Sequence, residues 1–168
     1  MFKELQKVMN HGLDNDDYVD AIKQNVFNKA TKSGVSYTAK FLRRLYDFDM
    51  SLPTFKAFKH FWYIADEREK PLLAIIYAIG NDYQLKNSIP VINNTEIGKK
   101  VTVESIESNI ENLDPKKYTS NTLRSMAQNI ASSWKQAGFI TGKVKNIRTQ
   151  PGINYLVVTF ALFLSYLN

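Results

Sequence analysis

The stretch Ser120-Asn-Thr-Leu-Arg-Ser-Met-Ala-Gln-Asn-Ile-Ala-Ser-Ser-Trp-Lys-Gln-Ala-Gly138 decides how this chain is read. Leu123, Met126, Ala127, Ile130, Trp134 and Ala137 recur at the three- and four-residue intervals that put apolar side chains on one face of an α-helix. Ser120 stands where an N-cap is needed and Gly138 where a helix stops. The opposite face carries Arg124, Ser125, Gln128, Asn129, Ser132, Lys135 and Gln136, and no acid. A solvent-facing helix usually mixes in glutamate. This one offers groups that suit phosphates and base edges: Arg and Lys can donate to guanine, and Asn and Gln can pair with adenine.

Just downstream, Phe139-Ile-Thr-Gly-Lys-Val-Lys-Asn-Ile-Arg148 alternates apolar and polar residues around a Gly-Lys turn. The pattern predicts a short β-hairpin with Lys143, Lys145 and Arg148 facing outward. Upstream, Val103, Ile106, Ile110 and Leu113 repeat at helical spacing with Glu104, Glu107 and Glu111 on other faces, and Asp114-Pro115 ends the run. A helix over 103–112, a helix over 121–137 and a basic hairpin come in the order of a winged helix, whose second helix enters the major groove while the wing grips backbone. The linker between these helices is longer than a tight turn. Many domains of this build serve protein contacts instead, and that alternative stays open.

Charge is distributed unevenly. From Pro115 to the end there is no Asp or Glu, while Lys116, Lys117, Arg124, Lys135, Lys143, Lys145 and Arg148 contribute +7; residues 1–114 hold 15 basic and 16 acidic groups. All the net charge of +6 therefore comes from the last third. Such asymmetry points to an anionic polymer or surface, against the plainer alternative of a solvated basic face.

The rest of the chain reads as helices. One is expected near residues 2–10, broken at His11-Gly12. A second opens on Asp14, Asp16, Asp17 and Asp20, acids that suit a helix's first turn. Ser36 is a candidate cap for a third, with Tyr37, Phe41, Leu45 and Phe48 as its core stripe. Lys40, Arg43 and Arg44 lie off that stripe, as a second phosphate contact or simply toward solvent. Pro53 begins a fourth helix whose Phe55, Phe58, Phe61 and Trp62 read as core in preference to a base-stacking platform, and Asp66 to Ile79 reads as a central buried helix. The turn-rich 93–98 segment divides the chain into an N-terminal helical bundle, 1–95, and a winged-helix-like basic domain with a final apolar helix, 96–168. The fold class expected is mostly α.

The apolar run Ile153-Asn-Tyr-Leu-Val-Val-Thr-Phe-Ala-Leu-Phe-Leu-Ser-Tyr-Leu167 would extend only about 22 Å as a helix, against roughly 30 Å of bilayer hydrocarbon. It is expected to be a buried helix, not a membrane span. There is no cysteine, and two histidines, His11 and His60, are too few for a zinc site. No phosphate-cradling glycine loop or nucleophile elbow occurs, and the spacing of Asp47, Asp49, Glu67 and Glu69 does not require a nuclease metal site. The expectation is a non-enzymatic cytoplasmic protein without cofactor or metal.

The order of features from Tyr37-Thr-Ala-Lys-Phe-Leu-Arg-Arg-Leu45 through the apolar helix 72–79 to Asn121-Thr-Leu and Trp134-Lys-Gln-Ala-Gly-Phe-Ile140 resembles the small BrxA-type component of BREX bacteriophage-exclusion systems. The likeness covers roughly residues 35–150 and lies in pattern, not in an invariant signature. It implies a mostly helical, cytosolic phage-defence protein that binds double-stranded DNA and acts beside other defence-system proteins. It supplies no catalytic residue. Arg43, Arg44 and the Arg124 helix are assigned from their chemistry alone. A helical adaptor that binds other proteins of a complex without touching nucleic acid is the alternative function.

Overall fold

A computed structural model describes residues 1–13, 15–142 and 145–167. The chain is mostly helical and divides into two compact units, residues 1–81 with 153–168, and residues 82–152. The division differs from the expected 1–95 and 96–168 at both ends. The final apolar helix joins the N-terminal helices because its partners are there, and the short helices before residue 95 join the C-terminal unit because Ser88 and Ile92 are part of that core.

The first unit contains α1 (Phe2–Gly12), α2 (Tyr18–Lys23), α3 (Lys32–Tyr46), α4 (Pro53–Ile64), α5 (Lys70–Asn81) and α10 (Tyr155–Leu167). Its core is aromatic. Phe55, Phe58 and Trp62 of α4 are fully buried, and the Phe58 ring lies 4.8 Å from Tyr77, 5.5 Å from Trp62 and 6.0 Å from Phe160 of α10. Phe55, Phe58 and Trp62 are therefore core and offer no stacking platform, while Phe61 is half-buried and Tyr63 exposed. On α3, Thr31 is the cap in place of Ser36, accepting from the Gly34 N–H at 3.1 Å. The helix buries Thr38, Leu42 and Tyr46, while Tyr37 is exposed. The stripe expected from periodicity is adjacent to the one that packing against α5 selects; of the expected residues Phe41 and Leu45 are half-buried and Phe48, just past the helix, is buried.

The second unit contains α6 (Tyr83–Asn87), α7 (Ile89–Asn93), α8 (Val103–Leu113), α9 (Ser120–Gln136) and an antiparallel pair, β1 (Ile140–Thr141) and β2 (Ile147–Arg148). Asp82 caps α6, Thr102 caps α8 and Thr119, one residue before the expected Ser120, caps α9. The α8 and α9 helices pack together, and β1 follows on α9. Ala127, Ile130, Ala131 and Trp134 of α9 are buried, as are Ile106 and Ile110 of α8. The hairpin register aligns Ile140 with Arg148 and Thr141 with Ile147. Gly142 closes it at φ +96°, where a Cβ would run into the Lys145 carbonyl, so only glycine fits this turn without strain.

A third extended segment completes the sheet. Residues 98–101, at the end of the turn-rich 93–98 segment and just beyond it, pair with the far edge of β2: Lys100 bridges Ile147, and Val101 N–H donates to the Asn146 carbonyl at 2.8 Å. Gly98 N–H donates to the Arg148 carbonyl at 2.9 Å, and Arg148 N–H donates to the Lys99 carbonyl at 2.8 Å, so two residues oppose one. With Gly98 at φ +85°, this is a glycine bulge.

Inside the unit, the Trp134 indole N–H donates to Ser88 Oγ at 2.7 Å, and that hydroxyl donates onward to the Leu85 carbonyl at 2.7 Å. Both side chains are buried. Ser88→Ala should leave the indole N–H unpaired and destabilise the protein by about 1–3 kcal/mol, read as a lower urea midpoint with an unchanged slope.

Candidate nucleic-acid interface

Because α9 turns its alanines, Ile130 and Trp134 inward, its polar residues are turned outward. Ser125, Gln128, Asn129 and Ser132 are exposed along one side, with Lys135 half-buried at the C-terminal end. These are hydroxyl, amide and ammonium groups with no acid among them. The N-terminal end differs from the sequence expectation. Arg124 is exposed, but its Nη1 lies 3.7 Å from Glu107 Oε1 and 4.0 Å from Glu104 Oε1, both on α8. The face is acid-free along its own helix but not across it.

The linker lysines occupy two different environments. Lys116, in the left-handed region at φ +60°, donates its backbone N–H to Glu111 Oε1 at 2.9 Å, and its side chain is exposed. Lys117 Nζ lies 3.0 Å from Asp114 Oδ1. The hydrogen bond from Lys117 holds the Asp114 carboxyl below its ordinary range, and the same bond keeps the Lys117 ammonium above its own. Gln84 also donates to Asp114, at 2.9 Å, fastening the linker to α6.

Arg148 is not an outward phosphate contact. It is 7% exposed and shares the inner face of the sheet with Ile140. Its Nε donates to the Ile92 carbonyl at 2.9 Å, and Nη1 donates to the carbonyls of Phe139, at 3.3 Å, and Thr149. The guanidinium carbon lies 5.3 Å from the Phe139 ring centroid. The alternation of the hairpin decides this: a residue paired with inward-facing Ile140 faces inward too. Of the other two wing residues, Lys145 is exposed, and Lys143 lies outside the described residues.

Two basic residues just after the turn-rich 93–98 segment add to the basic surface of this unit. Lys99 and Lys100 are exposed on the 98–101 edge, and Lys100 sits opposite Ile147 on the outer face of the sheet. The Lys-Lys pair preceding Val101 is their only sequence signal, because the pairing partner is more than forty residues away. Arg43 and Arg44 are exposed on α3 and belong to the other unit; the Arg44 guanidinium lies 4.7 Å from the Phe41 ring centroid. Among the described residues, no group of three or more histidines and carboxylates could hold a metal ion, and no helix is long and apolar enough to cross a membrane.

No family model, curated protein or solved structure matches this chain.

The assignment of Arg148 to the core makes it separable from the surface lysines. Arg148→Lys cannot reproduce a planar fork reaching three carbonyls and should lower stability by roughly 1–3 kcal/mol. Lys145→Ala should stay within about 0.5 kcal/mol of the parent protein. Urea unfolding of the two variants side by side checks both.

Proposed function

We propose that the 82–152 unit is a winged-helix-like module that binds duplex DNA with low sequence specificity, α9 entering the major groove and the β1–β2 hairpin gripping adjacent backbone. The carrying observation is the exposed α9 face of Ser125, Gln128, Asn129 and Ser132, which has hydrogen-bonding groups and no carboxylate. Further support comes from element order. An edge segment, two packed helices and a hairpin follow one another, and the edge segment pairs with the second hairpin strand. Ten basic and six acidic residues in this unit favour a polyanion, and the exposed Lys99, Lys100, Lys116 and Lys145 provide phosphate contacts around the helix.

On this reading Arg124 exchanges partners on binding, leaving Glu104 and Glu107 for a phosphate or a guanine edge. The likeness in pattern to the BrxA-type component of BREX systems extends the proposal to a role in phage defence, acting non-enzymatically in the cytoplasm beside other proteins of such a system. A helical adaptor without nucleic-acid contact is the competing function, and the same experiment separates the two.

Fluorescence anisotropy with duplex DNA should show affinity falling steeply between about 50 and 200 mM salt through counterion release. Arg124→Ala with Gln128→Ala should weaken binding without unfolding the protein. Lys143→Ala with Lys145→Ala should lower affinity for all sequences alike and reduce the salt slope by roughly one for each phosphate no longer neutralised. Lys3→Ala with Lys7→Ala removes two exposed charges from the other unit and should change little. Equal weakening in that control would make the effect bulk charge; no binding at low salt, with tight capture of a protein partner, would establish the adaptor.

A further inference from the structure

The α10 helix has no charged residue and is apolar on both sides. Leu156, Val157, Phe160 and Leu164 form the side buried on α4 and α5. On the opposite side Tyr155, Val158, Thr159, Leu162 and Tyr166 share one face at helical spacing, and all are exposed: Tyr155 by 83%, Leu162 by 66% and Tyr166 by 88%. A helix that is apolar all round is ordinarily covered all round. A contiguous exposed stripe of this kind, beyond a few hundred Å², marks an interaction surface.

We propose that the outer face of α10 is a two-fold interface between two copies of this chain, with the two helices packed antiparallel. This interface stands apart from DNA binding and uses none of the residues assigned to it. Self-complementarity identifies the occupant. An isologous contact requires each residue to meet its mirror position about the axis. An axis crossing α10 between Phe160 and Ala161 sets Tyr155 against the other copy's Tyr166 and Thr159 against Leu162, with Val158 at the flank. The large aromatics then meet at both ends and smaller side chains fill the middle. Both terminal tyrosines can bury their rings while their hydroxyls stay at the rim.

Size and charge agree with this. At these exposures the outer side chains, with Phe163 at the margin, offer on the order of 700 Å² per chain, which approaches the share each partner gives to a standard-size interface. No like charges are brought together, and the antiparallel arrangement aligns the two helix dipoles favourably.

Sedimentation velocity of nuclease-treated protein from about 1 to 100 µM tests the proposal. The expected result is a species with the mass of two chains. Leu162→Glu should weaken that association at least tenfold while leaving the far-UV circular dichroism unchanged, because Leu162 faces away from the core. Tyr155→Lys and Tyr166→Glu should each weaken it, and the two together should restore it, since only the antiparallel pairing sets each lysine against a glutamate. This series carries the test if Leu162→Glu loses helix. A protein that stays monomeric at 100 µM, whether or not it floats with phosphatidylcholine vesicles, overturns the proposal. So does a dimer that Leu162→Glu leaves intact, or one that the double variant fails to restore.

Discussion

The buried guanidinium of Arg148 is the contact on which the C-terminal unit depends. It gathers the carbonyls of Ile92, at the end of α7, of Phe139, at the α9–β1 turn, and of Thr149, after β2. The end of α7, 56 residues away, is thereby fixed to the two ends of the hairpin by one side chain. Burying a charge is costly unless it is hydrogen-bonded, and here Nε and Nη1 donate to three carbonyls while the guanidinium lies against the Phe139 ring. The backbone N–H and C=O of the same residue hold the 98–101 edge through the Gly98 bulge. The sheet is only two residues deep on its hairpin side, and this one residue secures it from both backbone and side chain.

The orientation of α9 follows. Trp134 is locked by its bond to the buried hydroxyl of Ser88 and by an edge-to-face contact with Phe139 at 5.1 Å. Once that side is held against α8 and the sheet, Ser125, Gln128, Asn129 and Ser132 have to face outward. The outer face is thus set by the packing of the inner one. Its one guanidinium, Arg124, meets two α8 carboxylates, so any polyanion must compete with them. Both separations are long and the Arg124 side chain is well exposed, which keeps the competition weak.

In the N-terminal unit the aromatic cluster around Phe58 has the corresponding role. Tyr46, Trp62, Tyr77 and Phe160 arrive from four helices to surround one ring. The chain leaves this unit after α5 and returns to it at α10, so the folded-back terminal helix supplies part of the core. That return fixes which face of α10 is covered and leaves the second apolar face outward.

The sequence by itself determined what is local. Helical period marked α4, α5, α8 and α9, the apolar and polar faces of α9 came from the same period, and the Gly142 turn with flanking alternation marked the hairpin. These features depend on neighbours within a turn or two of chain. Only tertiary structure decided the rest. The inward turn of Arg148 depends on pairing with Ile140, the placement of Lys99 and Lys100 depends on a strand pairing across more than forty residues, and the acidic partners of Arg124 lie on another helix. The choice between two adjacent apolar stripes on α3, and the assignment of α10 to the N-terminal helices, were likewise made by packing. Periodicity states that a side is apolar; which apolar surface covers it is a contact between residues distant in the chain, and composition and spacing hold no record of that.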